Sequence, residues 1–576
     1  MPSTLLHRSF SAWCVLLFFG VSFAQAAEFK PFLKLQIAGP TTLYNIAEKV
    51  GAIVDPEDTS GLKANLALYN NIPGFDPAGT ISLALQANQE SALFGMDILL
   101  LLPINDLTQL DIPGLPDNLK MVLPLVRAMK PSGGKYVLPT PFGKITAYQK
   151  EGYFLIATEG AAALAATADP KQFFAEVNKF TFGVHVDLEN VSVEILEPLL
   201  NNFAMFLPMQ GADGEENFDK DVLLKYVSDN QDEFSSFTAG VTLNPETLDL
   251  TGAVQITPKQ GSAWAEKIRN VKNTKTKLNA FLPETPQTVF SYHNLDYYTD
   301  NEIEEMRTVL EVIGKSFMEG LSEAVEDGNG SEQLVQAADL FLEYAGEVMD
   351  FFAENRLADY TVWLDSEGTF LFAIGTDKTA AITELDGNFL GSLLEIFGGE
   401  AGKTFMEAKT KKDYDTIAGY SLSCVPNLFA DLPDNVDFPD AVKNIPLSVF
   451  WAVKEGEAVA YAAGLDFDRT EKTFKDALTK TAAPVPPRQQ TFVFALKPFG
   501  ELLQKHVLPL FEQAGADYEY GKNVVAKLGN ADASAKMEMT TEFPGNACRY
   551  NFHVNGKLLQ TLLEVFAEGF TTGTAP

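Results

Sequence analysis

The sequence predicts an α+β protein of two internally duplicated lobes, each a curved antiparallel β-sheet built from hairpins with amphipathic helices, including a helical hairpin, packed on one face. Three observations carry this. Leu115-Pro116-Asp117-Asn118 recurs as Leu432-Pro433-Asp434-Asn435, each after an apolar run ending in Pro and Asn: 98–102 with Pro103 and Asn105, and 420–425 with Pro426 and Asn427. Lys150-Glu151-Gly152 recurs as Lys454-Glu455-Gly456, each time between apolar runs that read as the arms of a hairpin. Most strand-like runs are joined by short turns, and strands so joined run antiparallel. The helices between them carry one apolar face and need a sheet to cover it.

Along the chain, residues 1–26 read as a secretory signal: His7 and Arg8 give a basic start, 12–23 an apolar stretch, and Ala24-Gln25-Ala26 a small-x-small cleavage site. Residues 27–280 form the first lobe. Its elements are a strand at 33–37, helices at 42–54 and 62–71, a strand pair at 80–87 and 92–102, a hairpin within 145–156, and a strand starting at Thr181. A helix around Glu197-Pro198-Leu199-Leu200 follows, then a hairpin at 237–243 and 248–256 and a helix containing Trp264. The polar stretch 273–286 separates the lobes.

Residues 281–576 form the second lobe. A strand at 288–295 precedes two helices, with apolar steps at Ile303, Met306, Leu310, Ile313, Phe317 and Leu321 on the first and at Leu334, Ala338, Phe341, Ala345, Val348 and Phe352 on the second. The breaker 326–331 folds them back as a hairpin. Strands at 360–365 and 369–374, the run 420–425, the hairpin within 447–463, a strand at 491–494, and a closing hairpin at 535–541 and 548–554 before a helix at 558–570 complete the order.

Composition excludes several functions. The formal charge is -34, which repels phosphate backbones and anionic lipid headgroups, so neither nucleic acid nor a basic membrane-docking patch is expected. No later segment has the ~20 apolar residues of a membrane-spanning helix, so no transmembrane anchor is expected. Export places the chain in the periplasm or outside the cell. There, Cys424 and Cys548 could form a disulfide or remain buried free thiols.

Motifs for chemistry fail on spacing. The stretch 398–404, ending Gly402-Lys403-Thr404, is one residue short of a phosphate-binding loop and follows a helical pattern. Asp431, Asp434, Asp437 and Asp440 could gather oxygens around a calcium ion, but they match no ligand spacing and are candidates only for metal binding. The segment 327–331 opens like a calcium-binding hand but lacks its later Gly and Glu, and reads as a turn. His185, His293, His506 and His553 form no ligand pair and read as structural, and Gly419-Tyr420-Ser421 lacks the second Gly of a nucleophile elbow. No cofactor is implied.

What remains is aromatic content: 43 Phe, several on the helical stripes beside strands. Helices lying across an antiparallel sheet can leave an apolar groove between the layers. The sequence therefore favours an exported, soluble, non-enzymatic binding or carrier protein whose partner is an apolar small molecule, a lipid or an envelope protein. A structural or interaction protein of the cell envelope is the alternative, and a hydrolase assembled from residues distant in sequence is a second one.

Overall fold

The computed structural model describes residues 29–54, 72–88, 96–111, 123–128, 130–132, 134–140, 143–150, 152–167, 169–190, 228, 231–278, 283, 285–326, 332–430, 445–479, 490–509 and 519–572. These contain nineteen strands and twelve α-helices, and every strand pairing given below is antiparallel. The chain forms two compact units: Met1–Ala265 with Pro544–Pro576, and Glu266–Phe543.

The first unit contains β1 (Leu33–Ile37), α1 (Pro40–Val54), β2 (Ile81–Ala87), β3 (Met96–Leu102), α2 (Leu123–Ala128), β4 (Lys135–Thr140), β5 (Gly143–Lys150) and β6 (Tyr153–Ala157). After these come α3 (Ala162–Thr167), α4 (Pro170–Phe173), β7 (Phe182–Asp187), β8 (Phe234–Leu243), β9 (Leu250–Pro258) and the start of α5 (Ala263–Asn273). Its strands lie in the order β4-β5-β6-β3-β2-β1-β7-β8-β9. β3, with the run Ile98-Leu99-Leu100-Leu101, is apolar without alternation because both its faces are covered: Leu99, Leu100 and Leu101 are all buried. The tight turn between β5 and β6 places Gly152 at φ 82°, a conformation glycine adopts without a Cβ penalty.

The second unit contains β10 (Thr288–Tyr297), α6 (Asp300–Glu326), α7 (Glu332–Asn355), β11 (Leu357–Asp365), β12 (Phe370–Gly375), α8 (Thr379–Lys409), β13 (Lys411–Ile417) and β14 (Tyr420–Val425). β15 (Ser448–Lys454), β16 (Ala458–Gly464), α9 (Phe467–Thr479), β17 (Gln490–Ala495), α10 (Leu496–Leu502), α11 (Glu519–Gly529) and β18 (Lys536–Glu542) follow. The strand order is β13-β14-β15-β16-β12-β11-β10-β17-β18. Trp363, Leu371, Leu422, Phe450 and Phe474 form the centre of its largest core cluster.

The last segment belongs with the first unit. β19 (Cys548–Val554) pairs with β9, and α12 (Gly556–Thr572) packs on α1. Two local features fix this return. The Phe552 ring lies over Gly252, where a Cβ would come within 2.1 Å of it, and the Gly556 amide donates to Asp249 at 2.7 Å. That bond, with one from Thr247, holds the Asp249 carboxyl below its ordinary pKa. The sequence division, which ends the second lobe at residue 576, places this segment differently.

The α+β class and its antiparallel pairing stand as expected, and β1, β14 and β19 occupy the predicted residues. The predicted helical hairpin is α6 and α7, which pack on each other. The two Leu-Pro-Asp-Asn copies and the predicted helices at 62–71 and 197–200 lie outside the described residues. The two apolar runs that the repeat aligns hold different positions: β3 pairs with β2 and β6, whereas β14 pairs with β13 and β15.

Candidate functional site: an apolar face on acidic helices

Helices α6, α7 and α8 form a layer in the second unit, α6 against α7 and α7 against α8. α6 begins with a capping box: the Thr299 amide donates to Glu302 at 2.9 Å and the Glu302 amide donates back to the Thr299 hydroxyl at 3.3 Å. Lys267 of α5 ties this end down. Its ammonium, 4% exposed, bonds Asp296 of β10 at 3.1 Å and also Glu302. Burial raises the Asp296 pKa, and Lys267 acts against that rise.

Beyond this anchor α6 buries little. Ile303 is 5% exposed, and Gly314 lets the helix approach α7 closely, since a Cβ there would lie 3.0 Å from Leu342. Val309, Val312, Ile313 and Phe317, by contrast, are 52–61% exposed. Val309, Ile313 and Phe317 recur every four residues and so share one face.

α7 differs between its ends. The C-terminal half sits on the sheet: Phe351 is buried, and Phe352 packs with its ring 6.3 Å from that of Tyr360 and 6.4 Å from that of Tyr298. Burial raises the pKa of both tyrosines, Tyr360 to about 12. In the N-terminal half, Phe341 is 53% exposed and lies edge-on to Phe389 of α8 at 6.5 Å.

α8 is clamped by one carboxylate. Asp386 accepts from the Tyr344 hydroxyl of α7 at 2.6 Å and from Tyr461 of β16, and Tyr344 stacks on Phe389 at 4.5 Å. Burial raises the Asp386 pKa, opposed by the Tyr344 bond. Leu390 on the next position is 47% exposed. The contacts Gly314–Leu342 and Phe341–Phe389 put the exposed parts of all three helices at one level of the layer.

The groove expected between helices and sheet is filled where the helices meet β11, β12 and β16. Phe351, Ile374, Ile382 and Val459 are buried there with Phe352, Tyr360, Phe372 and Tyr461 packed around them. In the first unit, an open depression between α1 and the turn before β9 is lined by Asn45, Glu48, Lys49, Ala52, Pro245 and Glu246, a polar set.

The sequence candidates fall elsewhere. Asp431, Asp434, Asp437 and Asp440 lie outside the described residues, and among the described residues no cluster of His, Cys, Asp and Glu is arranged for a metal ion. Cys424 and Cys548 are both buried free thiols and form no disulfide. They sit inside packed strands, and burial raises the Cys424 pKa. Residues 398–404 are part of α8, which bends at Gly399 (φ 53°), so no phosphate loop exists there. His185 bonds Thr238 across the sheet at 2.7 Å, and His553 faces Thr251 on β9. His293 is buried with Nε2 unpartnered, and burial pushes its pKa down to about 4, which keeps it neutral. Among the described residues no helix is long and apolar enough to cross a membrane.

Compared with known proteins, the chain matches no family model, and no curated protein or solved structure is significantly similar to it.

The exposed face was absent from the sequence reading, which placed Ile313, Phe317 and Phe341 on apolar helix stripes turned towards a sheet. A signal was there. The apolar residues of α6 cover an arc wider than one neighbouring helix can bury, and those of α8 fall on every side of it.

Proposed function

We propose that this is an exported, non-enzymatic binding protein, and that its binding face is the α6-α7-α8 layer. One observation carries the reading: six large apolar side chains, Val309, Val312, Ile313, Phe317, Phe341 and Leu390, are 47–61% exposed at one level of three adjoining helices. Isolated exposed apolar residues are ordinary on a folded surface, but a contiguous group marks a contact site. The same observation moves the site from the sheet–helix interface, which aromatic side chains fill, to the open side of the helices. It favours contact with a partner's surface over enclosure of a small molecule.

The two units are also read as copies of one design. Both contain the order hairpin, then β3-β2-β1-β7-β8 or β12-β11-β10-β17-β18, with the hairpins β5-β6 and β15-β16 at the same place. Gly152 and Gly456, the last residues of the two Lys-Glu-Gly copies, lie at positive φ in the turns of those two hairpins. Under this reading the long helical hairpin stands where the first copy has, among the described residues, α1 between β1 and β2.

Titration with Nile red, a neutral dye that brightens on apolar surfaces, tests the binding face. The dye should bind the mature protein, and the double variant Ile313→Asp/Phe317→Asp should lose most of that signal while its circular dichroism and melting stay unchanged, because both side chains are exposed. Undiminished dye binding by the variant would refute the assignment.

A further inference from the structure

We propose that the partner of this face is a cationic amphipathic helix of another protein, with apolar residues along one side and Lys or Arg along the edges. The inference rests on the binding face proposed above and names what fits it. Charge decides the matter. α6 holds eight acids and two bases, α7 six acids and no base, and α8 five acids and two bases, so these three helices carry a net -15 of the chain's formal -34.

Two of the bases near the apolar stripe are engaged, and one, Lys315, is exposed and forms no ion pair among the described residues. Arg307 bonds Asp350 at 2.6 Å and approaches Glu304 at 3.9 Å, and Arg356 bonds Asp300. Glu305, Glu311, Glu319, Glu343 and Glu347 are exposed and form no ion pair among the described residues. On α6, Glu305 lies one turn before Val309 and Glu319 two turns after Val312, so acids border the apolar stripe along the same helix. An occupant that covers the stripe therefore brings its own edges against uncompensated carboxylates.

This selects among occupants. A second copy of the chain presents acids to acids, and an anionic lipid surface does the same. A neutral apolar partner would partly desolvate the carboxylates without pairing them, at a cost in free energy. A helix whose Lys and Arg stems lie over the apolar edge while their charged ends reach the acids satisfies both parts of the surface. A helix also matches the ridges and grooves between helices.

The test uses the full mature chain and a fluorescein-labelled peptide of about 20 residues, ~30 Å long as a helix, built from Leu and Lys so that Leu falls on one face. Two controls have the same length: a scrambled Leu/Lys peptide of equal charge, and the amphipathic peptide with Glu for Lys. Fluorescence anisotropy is read at about 50 and about 200 mM salt, because charge pairing weakens as salt screens it. The amphipathic Lys peptide should bind about tenfold or more tighter than either control. Ile313→Asp/Phe317→Asp should reduce its affinity about tenfold or more, and Glu305→Gln/Glu319→Gln should reduce both affinity and salt dependence.

Equal binding of the scrambled peptide would show charge attraction alone and overturn the proposal, as would equal binding of the Glu peptide. Stronger capture by phosphatidylcholine vesicles, or a dimer that Ile313→Asp/Phe317→Asp dissolves, would replace the occupant. If the dye responds to the double variant while the peptides are not distinguished, the binding face stands and the cationic helix falls. If neither responds, both fall.

Discussion

Asp359 should make the second unit less stable as the pH rises from 4 to 7, and Asp359→Asn should remove that dependence. The carboxyl, 1% exposed on β11, accepts from the Thr276 hydroxyl at 2.7 Å and from the Lys277 amide at 2.6 Å. It thereby holds the polar segment after α5 against the sheet, and Gly375 leaves the room, since a Cβ there would lie 2.5 Å from Asp359 Oδ2. Both bonds favour the charged form, yet burial outweighs them and pushes the pKa from 3.8 up to about 6. The folded protein thus binds this proton more tightly than the unfolded chain does. The resulting stabilisation is complete below about pH 4 and is lost as the pH rises through 6. A shift of about two units corresponds to about 3 kcal/mol. Urea unfolding followed by tryptophan fluorescence, with Trp363 buried on the same strand, gives the stability at each pH. The difference between wild type and Asp359→Asn isolates this group from the other titrations. The Asn variant loses the Lys277 bond, so its curve lies lower at acid pH, and the gap should narrow by about 3 kcal/mol towards pH 7. A constant gap from pH 4 to 7 would refute the reasoning.

Lys267→Met should destabilise the second unit by about 3 kcal/mol at pH 7, because it leaves Asp296 charged and buried without its cation. Unfolding in urea should show the loss, and it should shrink at acid pH as Asp296 takes up a proton. A loss under about 1 kcal/mol would mean that water reaches the site. In the folded protein neither Cys424 nor Cys548 should react with Ellman's reagent, and both should react in denaturant without reductant. One fast-reacting thiol in the native protein would contradict the burial described for both.

The strands were legible because local chemistry determines them. Alternating or continuous apolar runs bounded by turn residues located β1, β14 and β19, and glycines at positive φ close the tight turns, Gly152, Gly368 and Gly456 among them. Long-range pairing was not legible. Nothing in the run 548–554 says that it joins β9 and not a neighbour, because the deciding contacts, Phe552 over Gly252 and Gly556 with Asp249, join residues about 300 positions apart. The alignment of 98–102 with 420–425 went wrong for the same reason: short apolar runs resemble each other, and only their partners distinguish β3 from β14.

The helical face exposes a different limit. Periodicity reports that a helix has an apolar side, and the inference from that side to the core assumes that the chain itself supplies the cover. On α7 the assumption holds for Phe351 and Phe352 and fails for Phe341, three turns earlier on the same helix. What separates them is the reach of the sheet beneath, a tertiary fact. The width of the apolar arc is still a sequence property. α6 has apolar residues on the side of Gly314, which approaches α7, at Ile303 and Leu310, and beside that side, at Val309, Ile313 and Phe317, while eight of its other positions are acidic. A helix selected only to pack on one neighbour needs the first group alone. The second group exposes apolar surface at a cost in solubility, and a partner that covers it would account for why it is there.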